Sequence, residues 1–497
     1  MARGDAMDKT AEGAGLSSGV APTGEQREGL SWGAESGSRP TWGEAWHAWL
    51  RIAALSFGGP AGQISVMHRI LVEEKGWIPE RQFQQALSFC LLLPGPEAHQ
   101  LVTYTGWMLR GWRGGLCAGC LFILPGALAL LGLSWLYVNE QTAPALMSAL
   151  YGIRAATVAL VAGAVVRLAR RTLHSRLSVA WAVLALALLA SGRVPFPAIL
   201  ALTGAGGAWA TRHSRHSKGR SESDSGLMHG GHEAIGVTQT PAEQPPAGTD
   251  RIAVAVRAAH PDARSRPRMA TTIQTALLWL VIWWLPVVLC ASWLGRSSVV
   301  VAEGLFFSKV AVCTLGGAYA ILPYVARQAV ETQGWLTAGE MVDGLGMAES
   351  TPGPLVIVLQ FVGFLAAWKN PGVLPPSAAA LAGALISTWV TFAPSFLFVF
   401  TAGPWFQRLA QERWLSGALA GTSAATVGVL IHLLIWLAIA VWLIPAGPGS
   451  RAQVMGRSLD GLALGISLVA GVALLRFRIG LGWVLGGAAV VGCLMRL

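Results

Sequence analysis

The sequence predicts an all-α polytopic membrane protein made of two homologous repeats with broken helices. Three observations carry that prediction. Only 12% of the 497 residues are charged and 53% are apolar, with mean hydropathy +0.52. An ordinary globular chain is about 25% charged, so this one has too few charges to cover a soluble surface. Apolar stretches of membrane-crossing length recur along it. A set of glycine, proline and tryptophan motifs also returns at a fixed offset. Together these exclude a cytosolic enzyme, a fibrous chain and a mainly disordered protein.

In chain order, residues 1–42 are rich in Gly, Ser and Glu. They lack a positive n-region followed by an apolar core, so they read as a disordered tail rather than a signal peptide. The first repeat, 43–210, holds apolar segments near 43–57, 61–72, 83–96, 98–109, 116–138, 145–167, 177–191 and 194–210. Residues 211–270 form a polar linker with nine Lys/Arg, six Asp/Glu and five of the ten His. It reads as flexible and cytoplasmic, and its irregular His spacing argues against a metal site. An extra helix at 273–294 leads into the second repeat, 299–495. Its segments lie near 299–316, 318–330, 341–353, 355–368, 377–402, 415–444, 459–475 and 479–495.

Several segments are short and interrupted, at Gly58-Gly59-Pro60, Pro94-Gly95-Pro96, Gly316-Gly317 and Pro352-Gly353-Pro354. Interrupted helices leave backbone groups unpaired, so they must be buried in protein or face a watery cavity. Gly58-Gly59, Gly76-Trp77 and Pro94-Gly95-Pro96 each return 258 residues later, without a gap, as Gly316-Gly317, Gly334-Trp335 and Pro352-Gly353-Pro354. Beyond them the offset becomes 269, aligning Pro125 with Pro394, Gly152 with Gly421, and Ala155-Ala156-Thr157-Val158 with Ala424-Ala425-Thr426-Val427. Chance in an Ala/Gly/Leu-rich chain does not place Trp and two Pro-Gly-Pro triplets in register. Broken segments at matching positions of two repeats are the sequence pointer to a substrate site near the bilayer midplane.

Lys/Arg bias sets orientation. Arg110 and Arg113, the run Arg167/Arg170/Arg171/Arg176 and the linker all fit one cytoplasmic side, which inverts the second repeat. Arg451 and Arg457 run against this. The net charge of +11 lies mostly in loops and linker, which suits anionic headgroups and implies no nucleic-acid partner. The six cysteines sit in apolar stretches. Cys117-x-x-Cys120 has no second pair, so it reads as packing and implies neither disulfide nor metal.

The chain resembles the chromate ion transporter family in its long two-domain form. The resemblance rests on Ser56-Phe57-Gly58-Gly59-Pro60-Ala61-Gly62-Gln63-Ile64, Leu92-Leu93-Pro94-Gly95-Pro96-Glu97-Ala98 and Gly106-Trp107. In the second half it rests on Phe306-Phe307-Ser308-Lys309-Val310, Leu315-Gly316-Gly317-Ala318-Tyr319-Ala320-Ile321-Leu322-Pro323 and Glu349-Ser350-Thr351-Pro352-Gly353-Pro354. It covers about 43–495, leaving out tail and linker. It implies export of chromate across the cell inner membrane, driven by membrane potential or proton gradient, and chromate resistance. Sulfate is implied as a related or competing anion and protons as a coupling ion. Oligomeric state, a homodimer included, is left open.

A tetrahedral dianion needs hydrogen-bond donors and positive charge. Amides at helix starts after Gly58-Gly59, Pro94-Gly95-Pro96, Gly316-Gly317 and Pro352-Gly353-Pro354 supply donors, and glycine admits close approach. Gln63, Gln100 and Tyr104 add neutral donors. A charge inside an apolar segment costs about 2.5–3.5 kcal/mol and is usually functional. Arg51 and Lys309 each stand seven residues before a glycine pair, and Arg154 has only Ser423 opposite it in the repeat. Snorkelling to the headgroups is the alternative for Arg51, and an ion pair with Glu97 the alternative for Arg154. Glu97 and Glu349 are candidate coupling carboxyls, with a role as ion-pair partners the alternative. Trp77 and Trp335 read as interfacial anchors, and His68 and His99 as possible relays.

No G-x-x-x-x-G-K-[ST] loop is present, so no ATP drive within the chain and no cofactor are expected. Rival readings are a carrier of sulfate or another oxyanion, including an importer, a sensor using the His-bearing linker, and an intramembrane enzyme acting on lipid phosphates. No nucleophile or metal constellation supports the enzyme.

Overall fold

The computed structural model describes residues 40–140, 143–213, 269–314, 318–405, 413–445, 453–454, 457–477 and 479–496. The expectations for most of the tail and the linker, and those for Gly316 and Gly317, lie outside these residues. Sixteen α-helices are described. The first half holds α1 (Trp42–Leu55), α2 (Gly59–His68), α3 (Glu80–Leu92), α4 (Glu97–Asn139), α5 (Pro144–Thr172), α6 (Arg176–Ser191) and α7 (Phe196–His213). Helix α8 (Met269–Leu294) connects the halves. The second half holds α9 (Val299–Cys313), α10 (Leu322–Arg327), α11 (Ala338–Ser350), α12 (Val358–Lys369), α13 (Pro376–Ala402), α14 (Arg413–Trp442), α15 (Gly461–Leu475) and α16 (Leu481–Arg496).

Among the described residues, five stretches are able by length and composition to cross a membrane: Glu97–Asn139, Pro144–Thr172, Met269–Leu294, Pro376–Trp405 and Gly417–Trp442. Their outer faces carry exposed apolar side chains such as Leu128, Val281, Trp293 and Leu385. In water these would be a liability; against acyl chains they are at home. The chain is a membrane protein.

The repeat recurs bond for bond. In the first half α2 runs into a π-helical turn, Arg69–Glu74, which Lys75 closes by donating its amide to Ile70 at 3.1 Å; the amide of Trp77 donates to Leu71 at 2.9 Å. In the second half α10 runs into Gln328–Thr332, Gln333 donates to Gln328 at 2.9 Å, and Trp335 donates to Ala329 at 2.8 Å. Every pair is offset by 258. Gly76 and Gly334 take the same left-handed turn, with φ of 59° and 62°. Helix α4 bends at Arg110–Gly111, where Gly111 has φ 65°; its second-half counterpart is split outright into α12 and α13.

The halves interlock. Helix α5 of the first half packs against α15 and α16 of the second, while α14 of the second packs against α6 and α7 of the first. Lipid tails are as apolar as Leu, so such contacts depend on close backbone approach at small residues. A Cβ on Gly152 of α5 would fall 1.9 Å from the Ala488 carbonyl oxygen, and one on its repeat equivalent Gly421 of α14 would fall 2.2 Å from that of Thr203.

One departure from an all-α chain follows α14. A short antiparallel ribbon in the order β1-β3-β2 joins β1 (Leu443–Pro445), β2 (Gln453–Val454) and β3 (Arg457–Leu459), with Leu443 opposite Leu459. Helix α14 ends at Trp442, and Pro445 disfavours helix at Ile444 just beyond it. Trp335 also departs from expectation. It is 4% exposed and packs edge-on to Phe306 at 5.9 Å, so it is a core residue rather than a membrane-interface anchor.

Candidate functional site

The interruptions of the two halves meet. Helix α1 ends at Ser56, and the chain turns through Gly58 (φ 82°) and Gly59 (φ 75°) into α2. The amide of Gly353, in the second Pro-Gly-Pro, donates to the Ser56 carbonyl at 2.8 Å. Helix α9 ends at Thr314, and the amide of Gly95, in the first Pro-Gly-Pro, donates to the Thr314 carbonyl at 2.8 Å. Ser56 and Thr314 are repeat equivalents, as are Gly95 and Gly353. The contact is therefore made twice with the halves exchanged, the signature of a pseudo-two-fold axis through the crossing.

Side chains brace each strand of the crossing. Gln63 donates from Nε2 to the Gly353 carbonyl at 2.6 Å, and Gln100 from Nε2 to the Pro94 carbonyl at 2.6 Å. Pro352-Gly353-Pro354 lies against α4, where a Cβ on Gly126 would fall 2.2 Å from the Pro352 oxygen. Pro94-Gly95-Pro96 lies against α13, where a Cβ on Gly95 would come within 3.0 Å of Ser395 Oγ. Gly126 and Ser395 each follow the interior proline of a long helix, Pro125 or Pro394. A helix-interior proline leaves the carbonyl four residues earlier without its usual partner.

The polar chemistry is uneven between the sides. Tyr319 donates its hydroxyl to Glu349 Oε1 at 3.0 Å, and that hydroxyl lies 2.8 Å from where a Cβ on Gly59 would be. Glu349 is 3% exposed. Beside Gly95, Gln100 Oε1 and Ser395 Oγ are buried without a hydrogen-bond partner among the described residues. The first turn of α2 has no side-chain cap, nor has that of α4, leaving amides for a ligand or water. Arg167 and Arg171 lie exposed in the last turns of α5. The crossing thus combines close-approach glycines, uncapped helix starts, the unpartnered Gln100 and Ser395 oxygens and the two acids Glu349 and Glu97.

Gly58, Gly59, Gln63, Pro94, Gly95, Pro96, Gln100, Pro352, Gly353, Pro354 and Glu349 are all brought to this crossing. Glu97 opens α4 directly after Pro96 and is partly buried. Tyr104 lies elsewhere, buried against the rings of Phe89 at 4.9 Å and Trp107 at 5.7 Å in the first-half core. Arg51 is exposed on α1 and pairs with Glu74 at 2.5 Å. Lys309 is exposed on α9. Arg154 does not pair with Glu97. Its Nε and Nη2 grip the fully buried Asp343 of α11, the latter at 2.5 Å, and Tyr137 donates to the same carboxylate at 2.9 Å. Physical reach decides this: α5 packs along α11, which presents Asp343 to it. His68 sits between Glu73 at 3.0 Å and Glu80, and His99 lies edge-on to Phe392 and Phe396.

Sequence reasoning missed Tyr319 at the crossing and Asp343 as the partner of Arg154. Tyr319 stood inside a quoted motif, opposite Ala61 in the repeat, and that asymmetry was its available signal. Asp343 shares its helix with Glu340 and Glu349, and a buried-side acid there is a signal of the same kind as Arg154.

The chromate transporter family model matches residues 43–209 and 302–493, the two halves on either side of linker and α8. The chain belongs to the chromate transporter family. A chromate transport protein of Pseudomonas aeruginosa is 30% identical over 86% of this chain and 85% of its own length. One from Cupriavidus metallidurans is 26% identical over 78% of this chain and 80% of its own. A relative from Methanocaldococcus jannaschii, named as an uncharacterized transporter, is 23% identical over 80% and 85%. No solved structure matches. The chain is thus a transporter and not an enzyme. The family model spans both broken hairpins, so the crossing lies wholly within family-matched sequence.

Proposed function

We propose that this chromate transporter family member carries chromate out of the cytoplasm across the inner membrane, through the crossing of the two broken hairpins, and so confers chromate resistance. The observation that supports a path there is the reciprocal pair of amide bonds, Gly353 to Ser56 and Gly95 to Thr314, beside unpartnered polar atoms. The names of the relatives support chromate as the substrate, and sulfate shares its shape and charge. On this reading the two halves are inverted repeats, with the linker on the cytoplasmic side. The halves rock about the crossing to open it to each side in turn.

The driving force is the membrane potential or the proton gradient. A dianion leaving an inside-negative cell gains about 4.6 kcal/mol per 100 mV, twice the value for one charge. Glu349 and Glu97 are the carboxyls beside the path; protonated, they stop repelling the anion and become donors. Chromate flux in proteoliposomes under imposed voltage and pH gradients tests the proposal. Voltage-dependent flux of chromate, competed by sulfate, is expected; liposomes no leakier than protein-free ones reject it.

A further inference from the structure

Helix α9 carries an acid that the crossing does not use. Glu303 lies one turn inside the helix start, eleven residues before Thr314 and so about 16 Å along the axis from it. It is 0% exposed, and neither carboxyl oxygen has a hydrogen-bond partner among the described residues. Its Oε2 lies in a notch beside Gly383 of α13, 3.0 Å from where a Cβ at that position would stand. There α13 meets α12 at the close approach of Gly383 to Gly363. The repeat equivalent of Glu303 is Ala45, so the acid belongs to one half only.

The groups facing it offer no charge to hold it. Helix α9 packs against α13, α8 and α12. Helix α13 has no ionisable side chain, and α8 has only the Cys290 thiol. Helix α12 has only Lys369 at its end, which is committed to Glu340 at 2.6 Å. On α9 itself Lys309 is six residues on and exposed, and Cys313 is further still. A carboxylate without a partner in such a seam costs far more than a neutral acid. Glutamine or leucine would fill the notch without that cost.

We propose that Glu303 is a proton-binding site, carrying its proton while α9 is closed on α13 and releasing it when that seam opens. Helix α9 ends at the break whose Thr314 carbonyl holds Gly95, so protonation at one end of this rigid element bears on the crossing at the other. The role in transport rests on the proposed oxyanion carrier; the proton site itself does not.

Two measurements on purified full-length protein, wild type against Glu303→Gln, test this. The first is the infrared absorption of protonated carboxyls across a pH titration. A protonated-carboxyl band at neutral pH that is lost in the variant supports the site, and identical spectra overturn it. The second is chromate flux in proteoliposomes. Loss of the pH-gradient-driven component, with voltage-driven flux retained, supports coupling through Glu303. An unchanged pH-gradient component overturns the coupling. If wild type carries no oxyanion at all, the proposed carrier fails, and the infrared comparison still decides whether Glu303 binds a proton.

Discussion

The Gly353 amide reaches across the molecule to the Ser56 carbonyl at 2.8 Å, joining the Pro-Gly-Pro of one half to the broken helix of the other. Its counterpart from Gly95 to Thr314 has the same length. Two such bonds, related by exchange of the halves, tie each Pro-Gly-Pro to the broken helix of the other half and make a hub. The predictions below probe this hub and its supports.

Gly59 should tolerate no side chain. Its φ of 75° is left-handed, which costs a side-chain-bearing residue about 1–2 kcal/mol, and a Cβ would come 2.8 Å from the Tyr319 hydroxyl. Gly59→Ala is expected to lower chromate flux at least tenfold. Adding Tyr319→Phe removes the clash, so the double variant should recover part of the loss. Flux of the four-member cycle checks this; strictly additive losses would separate Gly59 from Tyr319.

Gly126 and Gly132 lie in the same helix and should behave oppositely. A Cβ at Gly126 would meet the Pro352 oxygen at 2.2 Å, whereas one at Gly132 meets nothing within 4 Å. Gly126→Ala should lower the thermal midpoint and flux together. Gly132→Ala should be neutral or raise stability by about 0.5–1 kcal/mol. Thermal unfolding in detergent distinguishes them.

The Arg154–Asp343 pair joins the halves near Tyr137. Asp343→Ala strands a cation in a mostly buried place, so a loss of about 3–5 kcal/mol is expected. Replacing both residues with apolar ones of similar size should recover most of it. Denaturation midpoints of the single and double variants check the coupling.

Arg167, an exposed cation near the end of α5, should assist anion capture by long-range attraction. Arg167→Ala is expected to raise the half-saturating chromate concentration about tenfold, equivalent to about 1.4 kcal/mol. Added salt should shrink the difference. Arg51→Ala should alter stability by at most about 1 kcal/mol, as its ion pair is exposed. Concentration-dependent flux at two ionic strengths separates these cases.

The repeat was legible because glycine, proline and tryptophan are constrained by backbone geometry, so the 258-residue offset survives where Leu and Ala drift. The π-helical turns before Gly76 and Gly334 follow that offset bond for bond. The interlock of α5 with α15 and α16 was not legible, because Ala, Gly and Leu at Gly152 and Ala488 pack without a chemical label. The partner of Arg154 lay 189 residues away, where no local spacing points. Arg51 was drawn into the site by its register with Lys309, although Glu74, nearby in the fold, claims it.

The most direct test is an electron cryomicroscopy structure of the protein in lipid with chromate at saturating concentration, paired with one of Gly59→Ala. A tetrahedral density at the crossing is expected, beside the Gly58–Gly59 turn and both Pro-Gly-Pro segments, weakened in the variant. Density held by Arg51 or at the lipid-facing surface, with the crossing closed and dry, would contradict the account.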